Sequence, residues 1–222
     1  MKDFLLDKKW LRSTIQKLGL PLPLPPILER TKEAFCETNL NGRKVVLSDP
    51  GFKTNIFLQS LDDIGAEVYS SEDEYESVDA LIFNAIGFSE KEDIDKAHHF
   101  FSSNLKKVRK NGQLLILADG KSKTVLGKSY SHAMLGIAKT LAKESGRKGI
   151  NSNVLFINDA HQVSDDLLKN TIKAHFLFWL SAHSAFVSGQ SIKIELQNHP
   201  KDLDGSLSLK DKNALVTGGS RG

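Results

Sequence analysis

Cysteine is almost missing from this chain of 222 residues: Cys36 stands alone, so no disulfide can form within it. A reducing compartment follows, and the cytoplasm is the expected location. Proline is sparse and unevenly placed, with four of the six in Leu20-Pro21-Leu22-Pro23-Leu24-Pro25-Pro26, which leaves the rest of the chain open to helices and strands. No long apolar run occurs. The most apolar late stretch, His175 to Val187, holds two histidines and several small polar residues, too short and too polar to span a bilayer. Charge enters at Lys2, Asp3 and Asp7, too early for a signal peptide. Neither sign of charge dominates: 30 basic against 27 acidic groups give a net +3. That balance points to no nucleic acid, and no membrane partner is expected either.

What is present is a composition that can build a core, with 40% hydrophobic and 26% charged residues. Leu6, Trp10, Leu11, Ile15 and Leu18 recur at helical spacing, which predicts a short amphipathic helix over Phe4 to Gly19. The proline run after it reads as a stiff extended connector, or less readily as a docking motif for a proline-reading partner. From Arg43 the pattern alternates. Strands are predicted over 44–48, 66–69, 80–84, 113–117, 153–157 and 191–196. Helices are predicted over 55–64, 94–108, 134–144 and 167–180, with Gly65 as a stop and Asn111-Gly112 as a turn. The cluster Glu72, Asp73, Glu74 and Glu76 reads as a solvated loop. This alternation implies an α/β fold, a three-layer, doubly wound and mostly parallel sheet of Rossmann or flavodoxin-like type. No phosphate loop rich in Ser, Thr and Gly follows the first strand, so "flavodoxin-like" describes shape alone.

The end of the chain starts a new unit. Ala214-Leu215-Val216 reads as a strand and runs into Thr217-Gly218-Gly219-Ser220-Arg221-Gly222. This resembles the opening of the short-chain dehydrogenase/reductase family, a strand followed by Thr-Gly-x-x-x-Gly-x-Gly and a helix. Glycines there admit the cofactor's phosphates to the backbone and the helix start stabilises their charge. The resemblance implies cofactor contacts at Gly218, Ser220, Arg221 and Gly222, complete only in a longer parent chain.

Residues 44–196 resemble the same family in a decayed form. Asn84-Ala85-Ile86-Gly87 is similar to its Asn-Asn-Ala-Gly; Gly136 to Glu144 to the helix after its catalytic residues; Gly149-Ile150-Asn151-Ser152-Asn153-Val154 to a late strand entry; and Ser184 to Gln190 to its Ser-x-x-Val-Thr-Gly-Gln. Anchored on Gly136, the family's tyrosine position falls on Gly127 and its lysine position on Ser131. Tyr130 is out of register, since its lysine partner would be Met134. The chemistry needs a phenol with its pKa lowered by a nearby ammonium, and neither group is in place. After the first strand the chain reads Ser48-Asp49-Pro50-Gly51-Phe52-Lys53 in place of a glycine-rich loop, and Ile157-Asn158 replaces the family's later Pro-Gly.

A decayed half followed by a second start resembles the high-molecular-weight 3-oxoacyl-[acyl-carrier-protein]/CoA reductases, as does Leu18-Gly19-Leu20-Pro21-Leu22-Pro23. The resemblance implies a helix and connector over 1–42, a degenerate domain over 43–196, a linker over 197–211 and the first strand of a catalytic domain over 212–222. It implies an inactive chain with no cofactor of its own and a structural role in packing or dimerisation; alternatively, the cleft at the carboxyl ends of the strands would bind an acyl thioester or a nucleotide without chemistry. NADPH or NADH would serve the parent, which reduces 3-oxoacyl thioesters in fatty-acid metabolism. The expected partners are its own C-terminal ketoreductase domain, a second copy in a homodimer, and acyl carrier protein or a coenzyme A thioester. The remaining candidates read blandly. His98 and His99 point to different helix faces and suit the surface, as do His132 and His175 or the core edge. Cys36 reads as a structural thiol, and Lys106, Lys107, Arg109 and Lys110 as complements to a helix dipole that an acidic carrier protein could also use. Tyr130 with Lys121 or Lys128 is the arrangement a divergent enzyme would need.

Overall fold

Six short apolar runs pair side by side in a computed structural model that describes residues 9–19, 27–29, 31–48, 51–196 and 213. In chain order the main elements are α1 (Lys9–Lys17), β1 (Lys44–Leu47), α2 (Thr54–Asp62), β2 (Glu67–Tyr69), β3 (Val78–Ala85), α3 (Asp93–Asn104), β4 (Val108–Asp119), α4 (Val125–Ser145), β5 (Asn151–Ile157), α5 (Asp165–Trp179) and β6 (Ser191–Ile194). The sheet order is β2-β1-β3-β4-β5-β6 and every pairing is parallel. The predicted α/β architecture is therefore the observed one. The proline run, the 197–211 linker and the second glycine motif lie outside the described residues.

Period-two alternation divides the core into two layers. Val45, Leu47, Ile82, Leu115, Leu117 and Leu155 face α2 and α5, where Phe57, Leu61, Ile172 and Phe176 meet them. Val46, Leu81, Phe83, Leu114, Ile116 and Val154 face α3 and α4, against Phe100, Phe101, Met134 and Ala138. A strand buried on both faces must be apolar at consecutive positions, which is why β4 reads Leu114-Leu115-Ile116-Leu117. Gly149, at φ +73°, closes the turn after α4 in the left-handed region that favours glycine.

Three elements differ from the sequence reading. Asn111-Gly112 is no turn before a strand. Strand β4 begins at Val108, opposite Val78, and the pairing resumes only at Ala80 with Gln113, so extra residues bulge out between. Asn111 takes φ +61° there. Gly112 is needed because a Cβ on it would stand 2.8 Å from the Asp79 carbonyl oxygen. Helix α3 stops at Asn104, since Val108 is taken by the sheet. Helix α4 begins at Val125, nine residues before the predicted Met134, with Thr124 as its cap: the Gly127 N–H donates to Thr124 Oγ1 at 3.0 Å. At the N-terminus, α1 buries Ile15 but leaves Trp10 and Leu18 exposed.

Candidate functional site

A doubly wound sheet opens a crevice where its strand order reverses, beyond the carboxyl ends of the strands. Here the reversal lies between β1 and β3, and a cavity of about 1050 Å³ opens at that point. Ser48, Gly51 and Phe52 from the end of β1, Ser71 and Glu72 after β2, and Asn84 to Phe88 at the end of β3 supply one side. Helix α3 supplies the other.

Asn84 ties the near wall together. It is 5% exposed, and its Nδ2 donates to the Phe52 carbonyl at 2.9 Å and lies 3.3 Å from Thr54 Oγ1. Its Oδ1 accepts from the Ile86 N–H at 3.3 Å, and its own N–H donates to Ser48 Oγ at 3.0 Å. The loop it holds is not a phosphate cradle. The Gly51 N–H donates to Thr54 Oγ1 at 2.8 Å. Lys53, at φ +47°, sends its ammonium to the Val163 carbonyl at 3.1 Å and to Asp165 at 2.8 Å.

Phe52 and His161, which both line the crevice, meet in a tilted ring contact. The Phe52 and His161 rings lie 4.1 Å apart, and Gly87 runs beneath them. Asp119 at the end of β4 anchors both parts, its Oδ2 accepting from the Gly87 N–H at 2.7 Å and its Oδ1 lying 3.3 Å from His161 Nε2. Further along, Lys121 bridges Asp159 at 3.1 Å and Glu195 at 3.7 Å, while Asn158 Nδ2 donates to Glu195. Lys121 is held above its usual pKa by those two carboxylates. Asn158, in place of the family's Pro-Gly, is thus a tie between β5 and β6.

The outer wall carries the charge. Asp93 accepts from the Ser89 and Glu90 N–H groups, each at 2.9 Å, and pairs with Lys96 at 2.7 Å. Burial pushes its pKa up, but the Lys96 and backbone hydrogen bonds outweigh it and hold the carboxyl below its usual range. Glu72, Glu92 and Asp95 are exposed at the rim, and none has an ion-pair partner among the described residues.

The positions that would bear the family's chemistry do sit together, at the start of α4 beside the end of β4. They hold the wrong groups. Ser131 Oγ lies 2.9 Å from the Asp119 carbonyl and 3.0 Å from that of Gly127, and donates to the backbone. Gly127 is buried, and a Cβ on it would lie 2.9 Å from Ser122 Cβ. Tyr130 lines no part of the crevice, Lys128 is exposed, and Lys121 is committed to its two carboxylates. Gly218, Ser220, Arg221 and Gly222 lie outside the described residues.

The other candidates fall mostly as read. His98, His99 and His132 are exposed, although His99 also lines the crevice, which its sequence context did not signal. His175 is half-buried, and burial lowers its pKa. No metal-holding group of three or more His, Cys, Asp or Glu occurs among the described residues. Cys36 is exposed at a short 3₁₀ turn and packs in no core. Of the basic run, Arg109 is engaged with Asp79 and Glu29, and the Lys107 ammonium lies 4.3 Å from the Tyr75 ring centroid. No described helix is long and apolar enough to cross a membrane.

No family model and no curated protein matches the chain. Solved structures do. A blue fluorescent protein from a metagenomic library, in complex with NADPH, aligns over 71% of this chain and 98% of its own at 15% identity, with a TM-score of 0.56. A double mutant of a short-chain dehydrogenase/reductase from Serratia marcescens aligns over 70% and 97% at 14% identity, with a TM-score of 0.53. The chain shares the Rossmann-like α/β fold of these proteins, with its six strands all parallel. One expectation is corrected by this comparison. A chain with no cofactor was expected, but the first of these proteins, aligned over 98% of its length, was solved in complex with NADPH.

Proposed function

We propose that this chain is a non-catalytic, nucleotide-binding domain of a reductase of 3-oxoacyl thioesters, with the crevice between β1 and β3 as its nucleotide site. The observation that carries the reading is a contrast within one face of the sheet. The crevice stays open at about 1050 Å³, at the upper end of ligand-site volumes, while Gly127 and Ser131 stand where a phenol and an ammonium would be needed.

The lining suits a nucleoside. Ile86, Phe88 and Phe100 offer apolar surface for a base, and Glu72, Ser103 and Asn104 offer acceptors and donors for ribose hydroxyls. A nicotinamide cofactor supplies hydride when bound in a working reductase. The protein must then protonate the ketone oxygen. In this chain the Ser131 hydroxyl is spent on backbone carbonyls and Gly127 carries no phenol, so binding occurs without turnover. The domain packs on its own C-terminal ketoreductase domain or on a second copy in a homodimer, and shapes the entrance for a carrier-protein or coenzyme A thioester.

The test is acetoacetyl-coenzyme A reduction, with NADH and NADPH separately, by this chain and by a longer chain with the second glycine motif complete. Activity in the longer chain alone is the expected result. Turnover by this chain would remove the non-catalytic reading, and activity in neither would remove the substrate class.

A further inference from the structure

We propose that the crevice is selective for an unphosphorylated nucleoside such as adenosine, and that its carboxylate rim turns phosphate-bearing ligands away. This rests on the reading above of the crevice as the ligand site, and departs from it in the ligand, a nucleoside in place of a phosphate-bearing nucleotide.

The charge on the walls runs against phosphate. Four carboxylates, Glu72, Glu92, Asp93 and Asp95, line the cavity against one ammonium, Lys96, which Asp93 already holds at 2.7 Å. A phosphate monoester brings about −1.5 to −2 charges at neutral pH. Phosphate in folds of this kind is held by free backbone N–H groups and a helix start after β1, and two of the groups there point to other partners. The Gly51 N–H goes to Thr54 Oγ1, and Lys53 reaches away to Val163 and Asp165.

The same walls favour an uncharged base and a diol. Phe83 meets Phe88 and Phe100 at centroid distances of 5.7 and 5.3 Å, an aromatic cluster beside which a base can pack. Carboxylates accept from hydroxyls, so a rim that repels phosphate suits ribose. Ser71 lines the cavity too, and its Oγ is buried with no hydrogen-bond partner among the described residues.

The experiment is calorimetry of the whole chain at low ionic strength with adenosine, AMP and NADPH. Adenosine is expected to bind tightest, with AMP and NADPH weaker by at least about tenfold. A triple variant, Glu72→Gln with Glu92→Gln and Asp95→Asn, changes exposed side chains and is expected to narrow that gap to about threefold or less. Raising the salt to about 0.3 M should narrow it in the unaltered protein too, which gives a readout independent of the variant's folding. NADPH binding as tightly as adenosine, or a gap that neither the variant nor salt moves, overturns the selectivity and leaves the nucleotide site standing. No binding of any of the three at millimolar concentration overturns the nucleotide site itself, and the selectivity with it.

Discussion

Replacing Asn84 with alanine removes three functions at once, and the cost can be worked from its contacts. The Phe52 carbonyl loses its donor, and the Ile86 N–H, at a buried position, loses its acceptor. A buried polar group left unpaired costs about 1–3 kcal/mol. The Phe52 carbonyl is partly buried, so it belongs at the low end, and the contact with Thr54 Oγ1 at 3.3 Å adds little. The expected loss is about 2–3 kcal/mol. Urea unfolding followed by tryptophan fluorescence reads it, because Trp179 is buried while Trp10 is exposed in both states. The loop that Asn84 holds also forms one wall of the crevice, so nucleoside affinity should fall together with stability. Ser48→Ala removes only the acceptor for the Asn84 N–H and should cost less, about 1 kcal/mol. A loss below about 0.5 kcal/mol for Asn84→Ala would refute the view that this side chain organises the site.

Three further perturbations test the rest of the fold. Gly112→Ala pushes a Cβ against the Asp79 carbonyl and should destabilise by about 1–3 kcal/mol in the same urea assay; a neutral result would mean the β4 bulge adapts freely. Asp79→Ala takes the acceptor from the Lys44 N–H and the carboxylate from between Arg109 and Arg43, leaving Arg109 with Glu29 and the partly buried Arg43 with Gln113; a loss of about 3 kcal/mol is expected, with Asp79→Asn milder. His175 is held below its usual pKa by burial, so its contribution is present above about pH 6.5 and is lost as pH falls from there through the folded-state value. Unfolding midpoints between pH 7.5 and 5.5 should therefore fall further in the native protein than in His175→Gln, and parallel slopes would contradict that account.

The strand–helix alternation was legible because burial on both faces leaves a continuous apolar signature, as in β4 and β5. The first turns of α4 were hidden by a different circumstance. Val125 and Leu126 are exposed, and Lys128, Ser129 and Ser131 give no apolar stripe, so periodicity fails there. Thr124 as a cap was the one available sign. Asn111-Gly112 misled because a turn dipeptide can equally serve a bulge, and only the pairing of Val78 with Val108 decides between them. The register argument picked out Gly127 and Ser131, which lie one helical turn apart near the start of α4. The place of a crevice at the carboxyl ends of the strands follows from the fold, but its lining was not legible. Ser71, Asn84, His99 and His161 come from four separate stretches of chain and share no spacing that a sequence pattern could detect.

Because all the sheet neighbours are parallel, none of them can be joined by a tight turn. Val46 meets Leu81, Ile116 meets Val154, and Leu155 meets Ile192, each across an intervening helix. Among the described residues there is therefore no hairpin on which to begin folding, and each strand must wait for a helix to close the loop before its hydrogen bonds return any stability. Folding should be slow for its size, and strands β1 and β3, which meet beneath the crevice, are exposed to wrong partners until β4 arrives between β3 and β5.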